Sequence, residues 1–396
     1  MKILMINSVC GVSSTGRICT DLAVELEKQG HEGKIAYGRG SSPKQFDRFA
    51  VKIGSDADVK LHGLKARLFD ASGFGSKRAT ERFISWVKEY DPDVIHLHNI
   101  HGYYINVKTL FDYLKTAEKR VLWTLHDCWA FTGHSAYCDS VSCEKWESSC
   151  GNCPLKSDYP KSITDFSKRN RKIKEETFTK VKNMTLVTPS EWLRGLTKRS
   201  FLGEYPVELI RNGIDTEVFK KCESKFREKH GLTGKKLLLG VSSQWDKFKG
   251  FDDFLKLSNE LDDSCRIVLV GVTKEQKENL PKNIIGIEST DSVNELVEIY
   301  SSADCLVNLS YSENFPTVNI EAVACGVPVV TYDVGGSAES AFGNAVKVKK
   351  GDFKAVADII KNGSFDFKVS VDRKSIDKKT ALQSYLNQYQ KLYYTE

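Results

Sequence analysis

The chain of 396 residues predicts an α/β protein of two successive doubly wound domains facing across a cleft. Three observations carry that expectation. Short apolar runs alternate with helix-like segments twice along the sequence, which is the rhythm of parallel sheets. Polar and turn-forming residues near 203–215 (Gly203-Glu204-Tyr205-Pro206, then Asn212-Gly213) separate the two series like a hinge. The second series ends in a complete strand–loop–helix–strand unit at 305–331.

The first series opens with a strand over 2–9, a small-residue loop from Cys10 to Arg17 and an amphipathic helix from about Ile18 to Gln29, closed by Gly30. Val94–His98 and Val121–His126 read as strands, each after a helix-like segment (79–90 and 107–119). Region 127–165 breaks the rhythm with cysteines and aromatics. A basic helix near 166–181 and a strand at Thr185–Thr188 restore it. The expected domains are therefore 1–207, with 127–165 as an insert, and 208–377. In the second, Leu237–Val241 and Ile267–Gly271 are strands, and 251–261 and 292–301 helices. The tail 378–396 carries Leu382, Tyr385, Leu386, Tyr389, Leu392 and Tyr393 at helical spacing, a stripe that reads as core packing.

Cys305–Leu309 and Val327–Thr331 bracket the most informative stretch. Pro316 sits where a helix begins and Gly326 where it ends. Glu313 then lies in the loop at a strand's carboxyl end. Glu321 lies on the helix, one turn beyond Thr317 and on its face. Ligands of open α/β sheets bind at this edge, and a helix amino terminus there favours phosphate.

Composition excludes several classes. Hydrophobic residues at 40% and charged residues at 28% are ordinary for a soluble globular chain. No apolar run is long enough to span a membrane, and Met1–Asn7 is too short for a secretion signal. Eleven cysteines, an odd number, suit a reducing compartment, so a cytoplasmic protein is expected. Residues 1–207 hold 32 Lys and Arg against 24 Asp and Glu, leaving 26 against 28 for the rest. A basic first half suits an acidic partner there, with 168–174 as its densest basic run.

Glu313 and Glu321, eight positions apart with Phe315-Pro316 after the first, resemble the paired-glutamate motif of the retaining glycosyltransferases of family GT4. The resemblance extends over nearly the whole chain and is strongest at 94–154 and 240–340. It implies the GT-B fold, two Rossmann-like domains with a terminal helix crossing back to the first. It also implies a nucleotide-diphosphate sugar as donor, transfer with retention, and no catalytic metal. By this resemblance Glu313 faces the sugar near the reacting carbon and Glu321 the ribose. Asn314, Phe315 and Thr317 meet the sugar and diphosphate through backbone amides and a hydroxyl. Lys249-Gly250 resembles the family's diphosphate-binding pair. Many members place an arginine six residues before it, where this chain has Ser243. His126-Asp127, after a strand, is similar to a His-Asp that faces the donor sugar.

The remaining candidates read less sharply. Gly11-Val-Ser-Ser-Thr-Gly16-Arg17-Ile18 lacks the Lys-Ser/Thr of a P-loop and is not Gly-x-Gly-x-x-Gly. Gly16 and Arg17 are expected near the donor phosphates, a plain tight turn being the alternative. His96 and His98 share one strand face. His96 reads as a core histidine, whereas His98, Asn99 and His101 are assigned to the acceptor side. His126 and Asp127 are the catalytic candidates beside Glu313. Cys138, Cys143, Cys150 and Cys153 could hold a structural zinc, or be buried free thiols or a redox pair.

The function expected is therefore sugar transfer to a glycan or lipid-linked glycan in cell-surface polysaccharide biosynthesis. It would take place on a cytoplasmic enzyme in weak contact with the anionic membrane surface. The rivals are a nucleotide-sugar epimerase on the same fold and a zinc-stapled nucleic-acid-binding module. The acidic second half speaks against nucleic acid.

Overall fold

The computed structural model describes residues 1–394, which form two compact units. The first comprises residues 1–210 and the chain from Leu382 onward; the second comprises Arg211–Ala381.

The first unit is built on a seven-stranded sheet: β1 (Lys2–Asn7), β2 (Glu32–Tyr37), β3 (Ala50–Lys52), β4 (Val94–Leu97), β5 (Arg120–Thr124), β6 (Met184–Thr188) and β7 (Val207–Leu209). The order is β3-β2-β1-β4-β5-β6-β7, every pairing parallel. Alternating residues of β1 enter different cores. Leu4 and Ile6 join one apolar cluster, and Ile3 and Met5 join the other. A sheet buried on both faces explains the continuous apolar runs in its strands.

The helix Lys378–Tyr394 adds Leu382, Tyr385, Leu386 and Tyr389 to the second of those clusters. Each such side chain, fully buried, contributes roughly 1.5–3 kcal/mol. The buried phenols keep partners: Tyr389 Oη is 2.6 Å from His96 Nδ1, and Tyr385 Oη accepts from Thr124 Oγ1 at 3.3 Å. His96 is a satisfied core histidine.

The second unit carries a six-stranded parallel sheet: β8 (Lys236–Val241), β9 (Cys265–Val270), β10 (Ile284–Ile287), β11 (Cys305–Asn308), β12 (Val329–Tyr332) and β13 (Ala345–Val348). Its order is β10-β9-β8-β11-β12-β13. The order reverses between β1 and β4 in one sheet and between β8 and β11 in the other. These are the switch points at which doubly wound sheets bind ligands.

Three expectations shift. The helix after β1 begins at Ser13, not Ile18, so Gly16 is buried within its first turn rather than in an open loop. A Cβ on Gly16 would stand 3.0 Å from Val9 and 3.2 Å from the Gly11 amide, so the small residue serves close packing. The first domain ends later than 207, because β7 pairs with β6 and completes the first sheet. The tail passes to the first unit at Leu382, not at 378.

The basic run 168–174 is partly internal, on the helix Ser167–Phe178. Lys174 is buried; its Nζ donates to the carbonyls of Trp129 (2.6 Å) and Thr132 (3.0 Å) and lies 3.5 Å from the centre of the Trp129 indole. Arg171 is buried too and donates to Trp146 O and to Glu175. Among the described residues no helix is long and apolar enough to cross a membrane.

Candidate active site

In the second unit the functional groups gather beyond the carboxyl ends of β8, β11 and β12. After β8, the Asp246 carboxylate accepts from the amides of Phe248 and Lys249 and caps a short 3-10 turn. Gly250 ends the turn at φ 73°, and a Cβ there would lie 2.2 Å from the Leu309 carbonyl. Only glycine lets this turn close on the end of β11. Lys249 is thereby aimed at Glu313, and its Nζ donates to Glu313 Oε1 at 2.6 Å. The Glu313 side chain is 12% exposed and that of Lys249 39%.

Glu313 is also held from behind. The Gly336 amide donates to the Glu313 carbonyl at 3.0 Å, and Gly335, at φ 53°, passes so close that a Cβ would lie 1.7 Å from that oxygen. Buried Asn319 secures this glycine loop, accepting from Asn308 Nδ2 and donating to Ser337 O and the Ser340 hydroxyl. The Gly335-Gly336 pair, separated from the end of β12 by two residues, was the sequence signal available for this support.

The helix Thr317–Ala324 starts after Pro316 without a side-chain cap, leaving its first amides available to an anion. Glu321 accepts from the Tyr300 hydroxyl at 2.8 Å. The Phe315 ring is 4% exposed and packs with Ile214, Ile320 and Ile376, so its side chain is core and only its backbone can meet a ligand. Ser243 is exposed and supplies no cation. Arg17, in the first unit, donates to the Ser13 carbonyl of its own helix.

The first unit collects its polar groups at the ends of β1, β4 and β5. Buried Asn7 donates to Val9 O and accepts from the Asn99 amide, tying the loop after β1 to the loop after β4. His98 Nδ1 lies 3.0 Å from His126 Nε2. His101 bridges Asp127 (Nε2 to Oδ2, 2.9 Å) and the Tyr159 hydroxyl (Nδ1, 3.0 Å). Tyr159 comes from the 127–165 insert, so that insert helps build the site, a role its irregular sequence did not announce.

Burial holds the His98 imidazole well below its ordinary pKa, with His96 and His126 adding to the effect. Burial also lowers His126 to about 4, despite the nearby Asp127. His126 is neutral at pH 7. Burial alone would raise the Asp127 carboxyl, but His101 and the Trp129 amide outweigh it and hold Asp127 below the usual carboxylate range, so it is ionised.

The four cysteines of the insert line one cavity of about 30 Å³. Among the described residues no group of three or more His, Cys, Asp or Glu side chains is arranged to hold a metal ion.

The two doubly wound parallel sheets each carry a glycosyltransferase family profile, which makes the chain a glycosyltransferase by class. Residues 15–218 match the profile of Glycosyltransferase Family 4, and residues 223–362 match that of Glycosyl transferases group 1. The chain belongs to glycosyltransferase family 4. WcaC of Escherichia coli strain K12, provisionally assigned as a colanic acid biosynthesis glycosyl transferase, is 24% identical over 83% of this chain and 82% of its own. Sucrose-phosphate synthase of Thermosynechococcus elongatus shares the fold at TM-score 0.69 and 16% identity, covering 99% of both chains. HepE of Anabaena, solved in complex with UDP, does so at TM-score 0.68 and 14% identity, over 99% of this chain and 100% of that one.

Proposed function

We propose that the chain transfers a sugar, with retention and without a catalytic metal, from a nucleotide-diphosphate sugar to a glycan or lipid-linked glycan of a cell-surface polysaccharide. The observation carrying this reading is the 2.6 Å contact of Lys249 with Glu313 at the β8/β11 switch edge, fixed by the Gly250 and Gly335 approaches. An ammonium with three protons can keep Glu313 on one and offer the others to a diphosphate. It thus stabilises charge developing on the leaving group, the service a divalent metal renders elsewhere. The uncapped amides of Thr317 and its successors add to that stabilisation, Glu313 orients the sugar, and Glu321 receives the ribose. UDP in HepE and the colanic acid biosynthesis assignment of WcaC favour a nucleotide donor and a glycan acceptor.

The first unit's cluster serves the acceptor. Ionised Asp127, oriented by His101 and the Trp129 amide, takes the proton of the acceptor hydroxyl. Neutral His126, paired with His98, offers a hydrogen bond without repelling that proton. Asn99 and His101 line the acceptor side, and buried His98 acts there only through His126.

Contact with an anionic membrane surface fits a different face from the 168–174 run. The helix Asp56–Phe69 exposes Leu61, Leu64 and Leu68 at i, i+3 and i+7, followed by Phe69. The backbone of its last turn is bonded to the chain that exposes Ile163: Ile163 N donates to Arg67 O at 2.8 Å. Lys60, Lys65 and Arg67 on that helix and Lys161 beside Ile163 are exposed with this apolar stripe. An apolar stripe rimmed with cations suits an anionic lipid surface.

The test is a panel of nucleotide sugars incubated with lipid-linked and free glycan acceptors and read by mass spectrometry, with anomeric configuration assigned by NMR. Donor consumption that requires acceptor and yields a retained linkage is expected. Donor isomerised without acceptor would establish the epimerase instead.

A further inference from the structure

The cavity of about 30 Å³ in the 127–165 insert is lined by Cys138, Cys143, Cys150, Cys153 and His134. That volume accommodates an ion or a single water and little else. His134 is the informative member. Its side chain is wholly buried, Nδ1 lies 2.5 Å from Asp70 Oδ1, and Nε2 has no partner. Asp70 is 2% exposed, and its other oxygen accepts the Phe166 amide at 2.9 Å. A carboxylate on Nδ1 places the ring proton there and leaves the Nε2 lone pair free. That is the arrangement in which a second-shell carboxylate prepares a histidine for a metal. Most buried ring nitrogens find partners; among the described histidines only His98 Nε2 shares this state, and His98 does not line the cysteine cavity.

The thiols sort themselves. Cys138 is engaged with the Cys128 thiol. Cys143, Cys150 and Cys153 are mutual electrostatic neighbours; burial raises the Cys150 and Cys153 thiols, and the Gly133 amide, Lys174 and Arg171 offset only part of that rise at Cys150. The backbone around them is tightly held. A Cβ on Gly133 would lie 2.0 Å from Ser167 O and 2.9 Å from Cys150 Cβ, and the Cys153 amide donates to Asp165 Oδ2 at 2.6 Å.

We propose that Cys143, Cys150, Cys153 and His134 bind a structural zinc ion as a closed three-sulfur, one-nitrogen site, the fourth insert cysteine remaining with Cys128. The sequence alone offered Cys138 as the fourth ligand; the free Nε2 replaces it. Binding draws the three thiolates inward onto the cavity, with release of their protons. Four protein ligands leave no open position, so the metal is a staple and takes no part in the transfer. It joins the insert to the end of the helix Asp56–Phe69 through Asp70, and so steadies the segment that delivers Tyr159 to His101.

The experiment uses the full chain, loaded with zinc or cobalt(II) and dialysed. About one zinc per chain by elemental analysis is expected, with a tetrahedral cobalt spectrum whose thiolate charge-transfer intensity corresponds to three sulfurs. Cys150→Ser with Cys153→Ser should lose the metal. His134→Gln should weaken zinc at least 10-fold, and Cys138→Ser should leave affinity unchanged. Less than about a tenth of a zinc per native chain after loading would overturn the site without recourse to any variant. A four-sulfur cobalt spectrum, or zinc lost on Cys138→Ser and kept on His134→Gln, would overturn the assignment of His134.

Discussion

Acid should begin to destabilise the first unit well above the pH at which carboxylates titrate, and His62 shows why. On the helix Asp56–Phe69, its Nε2 accepts from the amides of Gly73 (3.2 Å) and Gly75 (3.0 Å). Protonation would set an N–H against two N–H donors in a buried site, and burial first of all lowers this imidazole from 6.5 to about 4. His126 is lowered to about 4 as well. Both groups bind protons more weakly folded than unfolded. As pH falls below about 6.5 the unfolded chain gains protons first, and stability declines until the folded groups titrate near pH 4. From pH 7 to pH 5 each histidine removes roughly 2 kcal/mol, about 4 kcal/mol together, with buried His96 and His98 acting in the same sense. Against a typical 5–15 kcal/mol that loss is large. Five of the six tryptophans (Trp86, Trp123, Trp129, Trp146 and Trp192) lie in the first unit, so urea titrations followed by tryptophan fluorescence report on it. The urea midpoint should fall steadily between pH 6.5 and 4.5. His62→Gln should flatten that slope by at most about 1.4 kcal/mol per pH unit, one proton's worth. A midpoint constant from pH 7 to 5, or a slope indifferent to His62→Gln, would refute the reasoning.

Glu313→Gln should cut kcat by about 100-fold or more with the melting temperature nearly unchanged, since glutamine keeps the shape of this mostly buried loop carboxylate; equal loss of melting temperature and activity would make its role structural. Gly335→Ala, whose Cβ collides with the Glu313 carbonyl, should raise donor KM and lower kcat together, and donor kinetics like the parent's would show that the glycine loop does not position Glu313. Lys174→Met strands the carbonyls of Trp129 and Thr132 and should cost about 2–3 kcal/mol in urea, read against the parent at pH 7. Leu64→Glu with Leu68→Glu should abolish co-sedimentation with anionic vesicles while charge reversal at Lys172 has little effect; the opposite ranking would return the membrane contact to the 168–174 helix.

What the sequence could reveal depended on whether a residue's role was local. The strand–loop–helix around Glu313 was legible because Pro316, Gly326 and two apolar runs define it within about twenty neighbours. By contrast β2, β3, β10 and β13 escaped notice. They are short outer strands of three to six residues, and Gly33 and Gly286 interrupt the pattern of two of them. The charge of the helix Ser167–Phe178 misled for a related reason. Charge reads as surface until the partner is seen, and the carbonyls that bury Lys174 lie over forty residues away. The same limit applies to chemistry. His101 and Asp127 are 26 residues apart, and the sequence marked both without pairing them. The cysteine spacing suggested a metal, but the unpaired buried nitrogen beside those cysteines belongs to His134, whose other nitrogen meets an aspartate 64 residues upstream. Local pattern thus located the chemical groups, and only the tertiary fold decided which of them act together.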